Sequence, residues 1–297
     1  MADQYTFEIN LLDESFNPQE TRNYGLAMLQ GEKSINCCIL DFKRNKFLGV
    51  HRFTRNDGKL QESQAGNEKP FSDFLNGLCT AIPWLKNPFK LVKVGFDGEM
   101  ATLVPSSLFD PNDSETYFKF NFRKNQDEQI RYDHLMPLDA WQVFTIPDAI
   151  LESTQRVFHI GKVIHGSSLL IESVWINYKN RISSTHIFLN VRNHLFDLMV
   201  FDGRQMSYFN TFPFHNPEDV AYYLIFVMEQ LGFNPETVPL VLLGDVETGQ
   251  DLFELLLRYV RHIEMGRRNE AYRYSYILNQ LSPQSQFPLL NFFSCGL

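Results

Sequence analysis

Residues 186–214 read HIFLNVRNHLFDLMVFDGRQMSYFNTFPF. Apolar and polar positions alternate through three runs, HIFLNVR, LFDLMVF and MSYFNTFPF, which predicts three strands in a meander. The first turn, Arg192-Asn193-His194, is bulky and polar and contains no glycine, whereas Asp202-Gly203 predicts a type I′ turn before the third strand. A helix follows, with Asn216 as N-cap, Pro217 at its first position, Glu218 and Asp219 at the positive dipole end, and Gly232 past its end. Its apolar stripe is Val220, Tyr223, Leu224, Val227, Met228 and Leu231. VPLVLLG (238–244) is then a strand of the type buried on both faces. A further helix is expected to carry Leu252, Leu255, Leu256, Tyr259, Val260 and Ile263.

The first half has the same order. YGLAMLQ (24–30), INCCILDF (35–42) and FLGVHRFT (47–54) form a meander joined by the short polar turns GEKS and KRNK. Residues 55–69 are a polar loop. Pro70 and Ser72 open a helix with Phe71, Phe74, Leu75, Leu78 and Ile82 on one face, and FKLVKVGF (89–96) is the next strand. ETYFKFNF (115–122), QIRYDHLM (129–136) and WQVFTIP (141–147) alternate as strands. Pro147 and Asp148 start a helix through Phe158, and a second helix begins near Ser167. Residues 1–20 are read as a polar arm. The boundary is placed at Asn180–Ser184, giving lobes 1–182 and 183–297. Strand-strand-strand-helix-strand-helix, twice, predicts an α/β protein of two lobes.

That doubled order resembles the actin-like ATPase superfamily, whose two ribonuclease-H-like lobes are each a mixed sheet with flanking helices. FKLVKVGFDGEMATLVPSSLF (89–109) is similar to a strand and the L-V-P-x-x-L-F element of its pilus-assembly members. With the terminal Phe-Ser-Cys-Gly-Leu, the chain from about Tyr24 onward resembles a bacterial, Bacteroidetes-type domain of unknown function, family 3822, with an actin-like fold. Nucleotide chemistry in the superfamily rests on two phosphate hairpins and an adenosine-contacting glycine turn. The second hairpin's D-L-G-G-G-T-F-D falls on Asn190-Val191-Arg192-Asn193-His194-Leu195-Phe196-Asp197, where Phe196 and Asp197 agree. Asn190 replaces the aspartate that would hold a hydrated metal, and all three glycines are gone, so a Cβ obstructs the approach of phosphate oxygens to backbone N–H groups. In the first hairpin Gln30 stands in place of aspartate, Gly31 is the one glycine, and Glu32 before Lys33 would repel a phosphate. In the adenosine turn Gly244 matches and Asp245 replaces a second glycine. The resemblance thus implies that any nucleotide or anion would meet Gln30, Asn190, Arg192, His194, Gly244 and Asp245, and that the ATPase motifs are degenerate, with no cofactor and no catalytic residue expected.

Composition excludes other classes. The net charge of −8 gives no overall drive toward nucleic acid or anionic membrane. Cys37, Cys38, Cys79 and Cys295 form no C-x-x-C pair and fit a reducing cytoplasm. MADQYTFEIN carries no basic leader or apolar core of a signal peptide, and the longest apolar run, Ala221 to Met228, is too short to span a bilayer. The eight histidines show no metal spacing. His165-Gly166-Ser167-Ser168 hints at a nucleophile turn but is not G-x-S-x-G, so Ser167 is read as the N-cap of a helix starting at Leu169. Asp133, His134 and Asp139 have no catalytic spacing. Residues 258–276 interleave Arg258, Arg261, Arg267, Arg268 and Arg273 with tyrosines; these are read as a basic helix face, with nucleic-acid contact as the sharper alternative. The apolar tail QFPLLNFFSCGL needs cover, either by packing on the first lobe or by a protein partner or second copy. The function expected is a cytoplasmic, non-catalytic interaction or scaffold protein. Its rivals are a noncanonical nucleotide binder and a nucleic-acid-associated protein.

Overall fold

The structure is a computed structural model that describes residues 5–31, 33–55 and 71–297. Residues 56–69 of the polar loop expected at 55–69, with Pro70 and Glu32, lie outside the described residues, and Arg55 ends a strand. The chain divides into two compact units. Met1–Leu169, Glu270–Gln280 and Gly296–Leu297 form the first, and Leu170–Asn269 with Leu281–Cys295 form the second.

In the first unit the expected meander is β2 (Tyr24–Gln30), β3 (Ser34–Asp41) and β4 (Lys46–Arg55), each antiparallel to the next. The arm expected at the N-terminus is instead a strand, β1 (Tyr5–Leu12), antiparallel to β4 with a bulge between Phe7 and Ile9. The signal was the alternation of Phe7, Ile9 and Leu11 with Thr6, Glu8 and Asn10; β4 offers an edge whose backbone groups need partners. α1 (Phe71–Ala81) returns the chain to β5 (Leu91–Phe96), which lies parallel to β2. An inserted module follows: β6 (Ala101–Pro105), α2 (Ser114–Asn121), β7 (Glu128–Leu135) and β8 (Ala140–Pro147), in the sheet order β6-β8-β7. α3 (Asp148–Phe158) leads to β9 (Ile164–His165), parallel to β5, and α4 (Gly166–Tyr178) begins there. Leu26, Met28, Ile35 and Phe53 of the sheet pack with Phe74, Leu75 and Leu78 of α1 and Ile150 and Leu151 of α3.

α2 corrects the expected strand ETYFKFNF. Phe118, Phe120 and Phe122 alternate as in a strand, but Phe118 is fully buried, Phe120 is 89% exposed, and Phe118 and Phe122 meet at 5.4 Å as an i, i+4 pair. Lys119 and Glu115 pair at 2.7 Å over the same spacing. Both are helix contacts, and they override the two-residue period. Phe118, Val104 and Val143 form the small core of this module.

The second unit repeats the sheet. β10 (Thr185–Arg192), β11 (Leu195–Asp202) and β12 (Gln205–Pro213) form the meander, α5 (Pro217–Gln230) returns the chain to β13 (Leu240–Gly244), and α6 (Asp251–Leu256) leads to β14 (Ile263–Met265). Strand orders β4-β3-β2-β5-β9 and β12-β11-β10-β13-β14 are the same order taken twice, with the last two joins of each parallel. Asn216 caps α5 in a capping box with Asp219, as the sequence predicts. Val220, Leu224, Val227 and Met228 pack on Leu189, Leu198 and Leu242, while Leu231 of the expected stripe is 39% exposed. The turn before β12 is Gly203-Arg204 and not Asp202-Gly203, because Asp202 pairs with Gln205 and only Gly203 carries positive φ, 57°.

The second helix of this unit is shorter than expected. Leu252, Leu256 and Val260 keep helical spacing and are buried, but regular helix stops at Leu256 and Ile263 enters the sheet. β13 is buried throughout, and its free edge needs the hydrogen bonds that β14 supplies. The arginines of 258–276 therefore share no helix face: Arg258, Arg261, Arg267 and Arg268 sit on irregular segments of the second unit, and Arg273 belongs to the first. Arg261 pairs with Glu236 at 3.2 Å, and Arg268 donates to the Leu281 carbonyl at 2.7 Å. The apolar tail forms α7 (Phe287–Asn291) and belongs to the second unit, with Leu289, Leu290 and Phe292 buried in the chain itself.

Returning through the first unit, the two-residue strand Arg273–Tyr274 pairs with β4, and Ser275 and Lys46 both donate to Asp13. Burial pulls the Asp13 carboxyl up, but those bonds and one from Ser15 outweigh it and hold the group well below the usual carboxylate range. His51 on β4 donates from Nδ1 to Asn10 Oδ1 at 2.9 Å, and burial lowers its pKa from 6.5 to about 4. Between those two values the unfolded chain binds a proton that the folded chain does not, so this contribution to stability is lost as pH falls from 6.5 toward 4. Denaturant midpoints measured at about pH 7 and about pH 4.5 are expected to fall less for His51→Asn than for the wild type. An equal fall in both proteins would show that His51 does not carry the effect.

Candidate functional site

The residues singled out in the second unit gather at one end of its sheet. Asn190 and Arg192 are two apart on β10 and share a face. Asn190 lies opposite Asp197 on β11, and Asp197 lies opposite Thr211 on β12. The Asp197 side chain is 1% exposed and is surrounded by donors. Arg192 Nη2 reaches Oδ1 at 2.9 Å, Thr211 Oγ1 reaches the same oxygen at 2.8 Å, and Asn190 Nδ2 reaches Oδ2 at 3.0 Å. A buried carboxylate needs such partners, and removing one charge of the pair costs on the order of 3–5 kcal/mol. Arg192 is thus spent on an internal counter-ion and is not directed at an external anion. The turn proper is Asn193-His194, both exposed and both at negative φ, and the His194 carbonyl accepts from the Phe214 N–H at 3.0 Å.

Gly244 and Asp245 stand beside this hairpin because β13 is parallel to β10, with Val191 opposite Gly244. Gly244 has φ 81°, and a Cβ there would lie 2.1 Å from the Val191 carbonyl oxygen and 2.8 Å from Asn190 Oδ1. The glycine is required by backbone approach within the protein. Its N–H donates to the Gln284 carbonyl at 3.0 Å, and the Asp245 N–H donates to the Val191 carbonyl at 2.8 Å. Gln284, 3% exposed, also donates from Nε2 to the Val246 carbonyl at 2.6 Å. The segment just before α7 therefore lies along the turn and uses its donors, a long-range contact that no local pattern announces.

Gln30 belongs to the first unit. It is fully buried at the end of β2, where its Oε1 accepts from Thr154 of α3 at 2.7 Å. The Gly31 N–H closes the hairpin on the Ser34 carbonyl at 2.8 Å, and a Cβ at Gly31 would meet nothing closer than 3.7 Å.

The serine–histidine sequence does form a network. Ser168 donates to Gln142 Oε1 at 3.1 Å, Gln142 Nε2 donates to Ser167 Oγ at 2.5 Å, and Ser167 Oγ lies 2.6 Å from His165 Nδ1. Ser167 sits inside the first turn of α4 and is not its N-cap, because the helix already begins at Gly166. Asp133 accepts the backbone N–H of His165 at 2.7 Å, not a ring nitrogen, and burial raises its carboxyl above the ordinary value. A catalytic relay needs the acid on the imidazole and the hydroxyl open to substrate. Here His165, Ser167 and Asp133 are at most 2% exposed, and the network is a core element.

A pocket of about 670 Å³ opens between the ends of the second unit's elements, lined by Val191, Phe214 and Leu252 on its apolar side and by Asn193, Asp245 and Asp251 on its polar side. No group of three or more histidine, cysteine or acidic residues suited to a metal occurs among the described residues.

Residues 13–263 match the family described as Protein of unknown function (DUF3822). The chain belongs to that family. No curated protein matches it. Among solved structures it is similar to a Bacteroides thetaiotaomicron protein with actin-like ATPase fold and unknown function, at 19% identity and TM-score 0.78, over 94% of this chain and 99% of that one. It is also similar to the PilM–PilN type IV pilus biogenesis complex, at 11% identity and TM-score 0.57, over 90% of this chain and 96% of that one. The fold is that of the actin-like ATPases, as the doubled strand order implied.

The β10–β11 turn has no glycine, Asn190 and Arg192 are tied to Asp197, and the N–H groups of Gly244 and Asp245 are occupied from within. Gly244→Ala is expected to lose about 2–4 kcal/mol in chemical denaturation, from left-handed backbone strain and overpacking. Gly31→Ala should change stability by less than about 0.5 kcal/mol, because its Cβ has room.

Proposed function

We propose that this family member is a non-catalytic interaction protein that keeps the actin-like architecture without its nucleotide chemistry. The observation that carries this reading is the internal use of the glycine-turn donors: Gly244 N–H on Gln284 and Asp245 N–H on Val191. Phosphate binding at such turns depends on backbone N–H groups that point outward and are unsatisfied by protein. The pairing of Arg192 with buried Asp197 supports the same reading, because a guanidinium that neutralises a core carboxylate leaves little charge for a ligand. One solved protein of this fold is by its name a complex of two proteins, PilM and PilN, which supports an interaction role on this scaffold. A reducing compartment such as the cytoplasm is part of the proposal: all four cysteines are buried, and none is in a disulfide. No helix among the described residues is long and apolar enough to cross a membrane.

The reading is tested by thermal unfolding with and without magnesium ATP. A ligand present at about 100 times its Kd would stabilise the folded state by about 2.7 kcal/mol. The expected outcome is an unchanged Tm. A concentration-dependent rise that Asn193→Ala or His194→Ala abolishes would establish a side-chain nucleotide site and overturn the proposal. Those two exposed residues are the sound choice, since Arg192→Ala would also unpair Asp197.

A further inference from the structure

α5 and α6 cover one face of the second unit's sheet, side by side. Helices in that position normally turn charged residues of both signs to solvent. These two do not. α5 reads PEDVAYYLIFVMEQ and α6 reads DLFELL, with no lysine or arginine in either. Along the outer side of α5, Glu218, Tyr222, Phe226 and Glu229 fall at spacings of four, four and three, so they form one stripe. Tyr222 is 65% exposed and Phe226 45% exposed, and their rings stack at 6.2 Å with 16° between planes. Glu218 and Glu229 are exposed and make no ion pair among the described residues. Asp251 and Glu254 are exposed on α6 as well. The pocket at the N-terminal ends of the same helices repeats the chemistry, with the exposed Asp251 beside Phe214 and Leu252.

A single stacked aromatic pair between carboxylates selects its occupant by charge. Nucleic acid and anionic membrane are repelled. A second copy meeting this face with its own would set carboxylates against carboxylates. A cation laid on an aromatic ring, with an acid at its edge, gains from both. We propose that the outer face of the α5–α6 layer docks a basic amphipathic segment of a partner protein. Its aliphatic side lies on Tyr222 and Phe226, and its lysines or arginines face Glu218, Glu229 and Asp251. This rests on the reading of the chain as an interaction protein and names the chemistry of its partner.

The probe is a fluorescein-labelled helical peptide of leucine and lysine, about 18 residues or five turns long, titrated with the full chain at about 0.15 M salt. Saturable binding is expected, and Tyr222→Ser with Phe226→Ser should weaken it at least about tenfold. Glu218→Gln with Glu229→Gln should weaken it about threefold or more, and Glu99→Gln with Glu152→Gln, which removes the same charge from the first unit, should leave it unchanged. All six positions are exposed, and circular dichroism and Tm check that the variants fold. The proposal fails if the peptide does not bind, if both α5 variants bind like the wild type, or if the first-unit control loses as much as Glu218→Gln with Glu229→Gln. Equal binding of a leucine–glutamate peptide also overturns it. So does a dimer in sedimentation that Tyr222→Ser dissociates, because the occupant is then a second copy. A nucleotide-dependent rise in Tm would overturn the preceding reading and leave this result untouched.

Discussion

A carboxylate removed from water must be neutralised where it stands, and Asp197 sets that requirement at the centre of the second unit's meander. Its three donors come from two directions: Asn190 and Arg192 along β10, and Thr211 across β12. The three strands are thereby pinned in register at the end where the hairpin turns. A one-residue slip would move Asp197 to the opposite face, into the packing of Leu189, Leu198 and Leu242 against α5. The polar, glycine-free turn at Arg192-Asn193-His194 follows from the same requirement. Arg192 has to end β10 on the carboxylate's face, and the two-residue turn needs no left-handed backbone.

Gly244 is fixed by a neighbouring constraint. β13 runs parallel to β10 and closes on it until only hydrogen fits opposite the Val191 carbonyl. The chain's last segment then completes the turn, since Gln284 takes the Gly244 N–H and gives its own amide to Val246. A residue that would be read as a ligand contact from its place in the fold is thus accounted for by packing and hydrogen bonding alone. The apolar tail has the same explanation: it carries Gln284 to the sheet and buries Leu289, Leu290 and Phe292 on the way.

Both meanders, α1, α3, α5 and the β5 and β13 strands were legible because one period ran through each without a competitor. Where two periods competed, reading failed. Phe118, Phe120 and Phe122 alternate like a strand, and only the capping turn at Asp110 to Ser114 and the Glu115–Lys119 pair mark the helix. Ile263 continues the spacing of Leu252, Leu256 and Val260, yet the exposed edge of β13 claims it for the sheet. At the site, Asn190, Arg192, Gly244 and Asp245 were singled out by the resemblance to the superfamily's second hairpin and glycine turn. Their partners Asp197, Thr211 and Gln284 define what those residues do. Gln284 is 40 positions from Gly244 and carries no motif of its own, so the saturation of the turn could be seen only in three dimensions.

These contacts separate two uses of polar groups in one unit. Inside, the Asp197 carboxylate and the Gly244 and Asp245 N–H groups at the end of the sheet are each met by a donor or acceptor of the chain. Outside, on α5 and α6, the carboxylates are left to solvent beside exposed rings, although a lysine at one helical turn's distance would stabilise either helix by about 0.3 kcal/mol. An isolated helix layer gains nothing from that omission. A surface that must attract a cation from elsewhere does, because an intrahelical lysine would compete for the same carboxylate. Internal satisfaction at the glycine turn and its lack on the helical layer are the contrast from which docking on the outer surface of the fold is proposed.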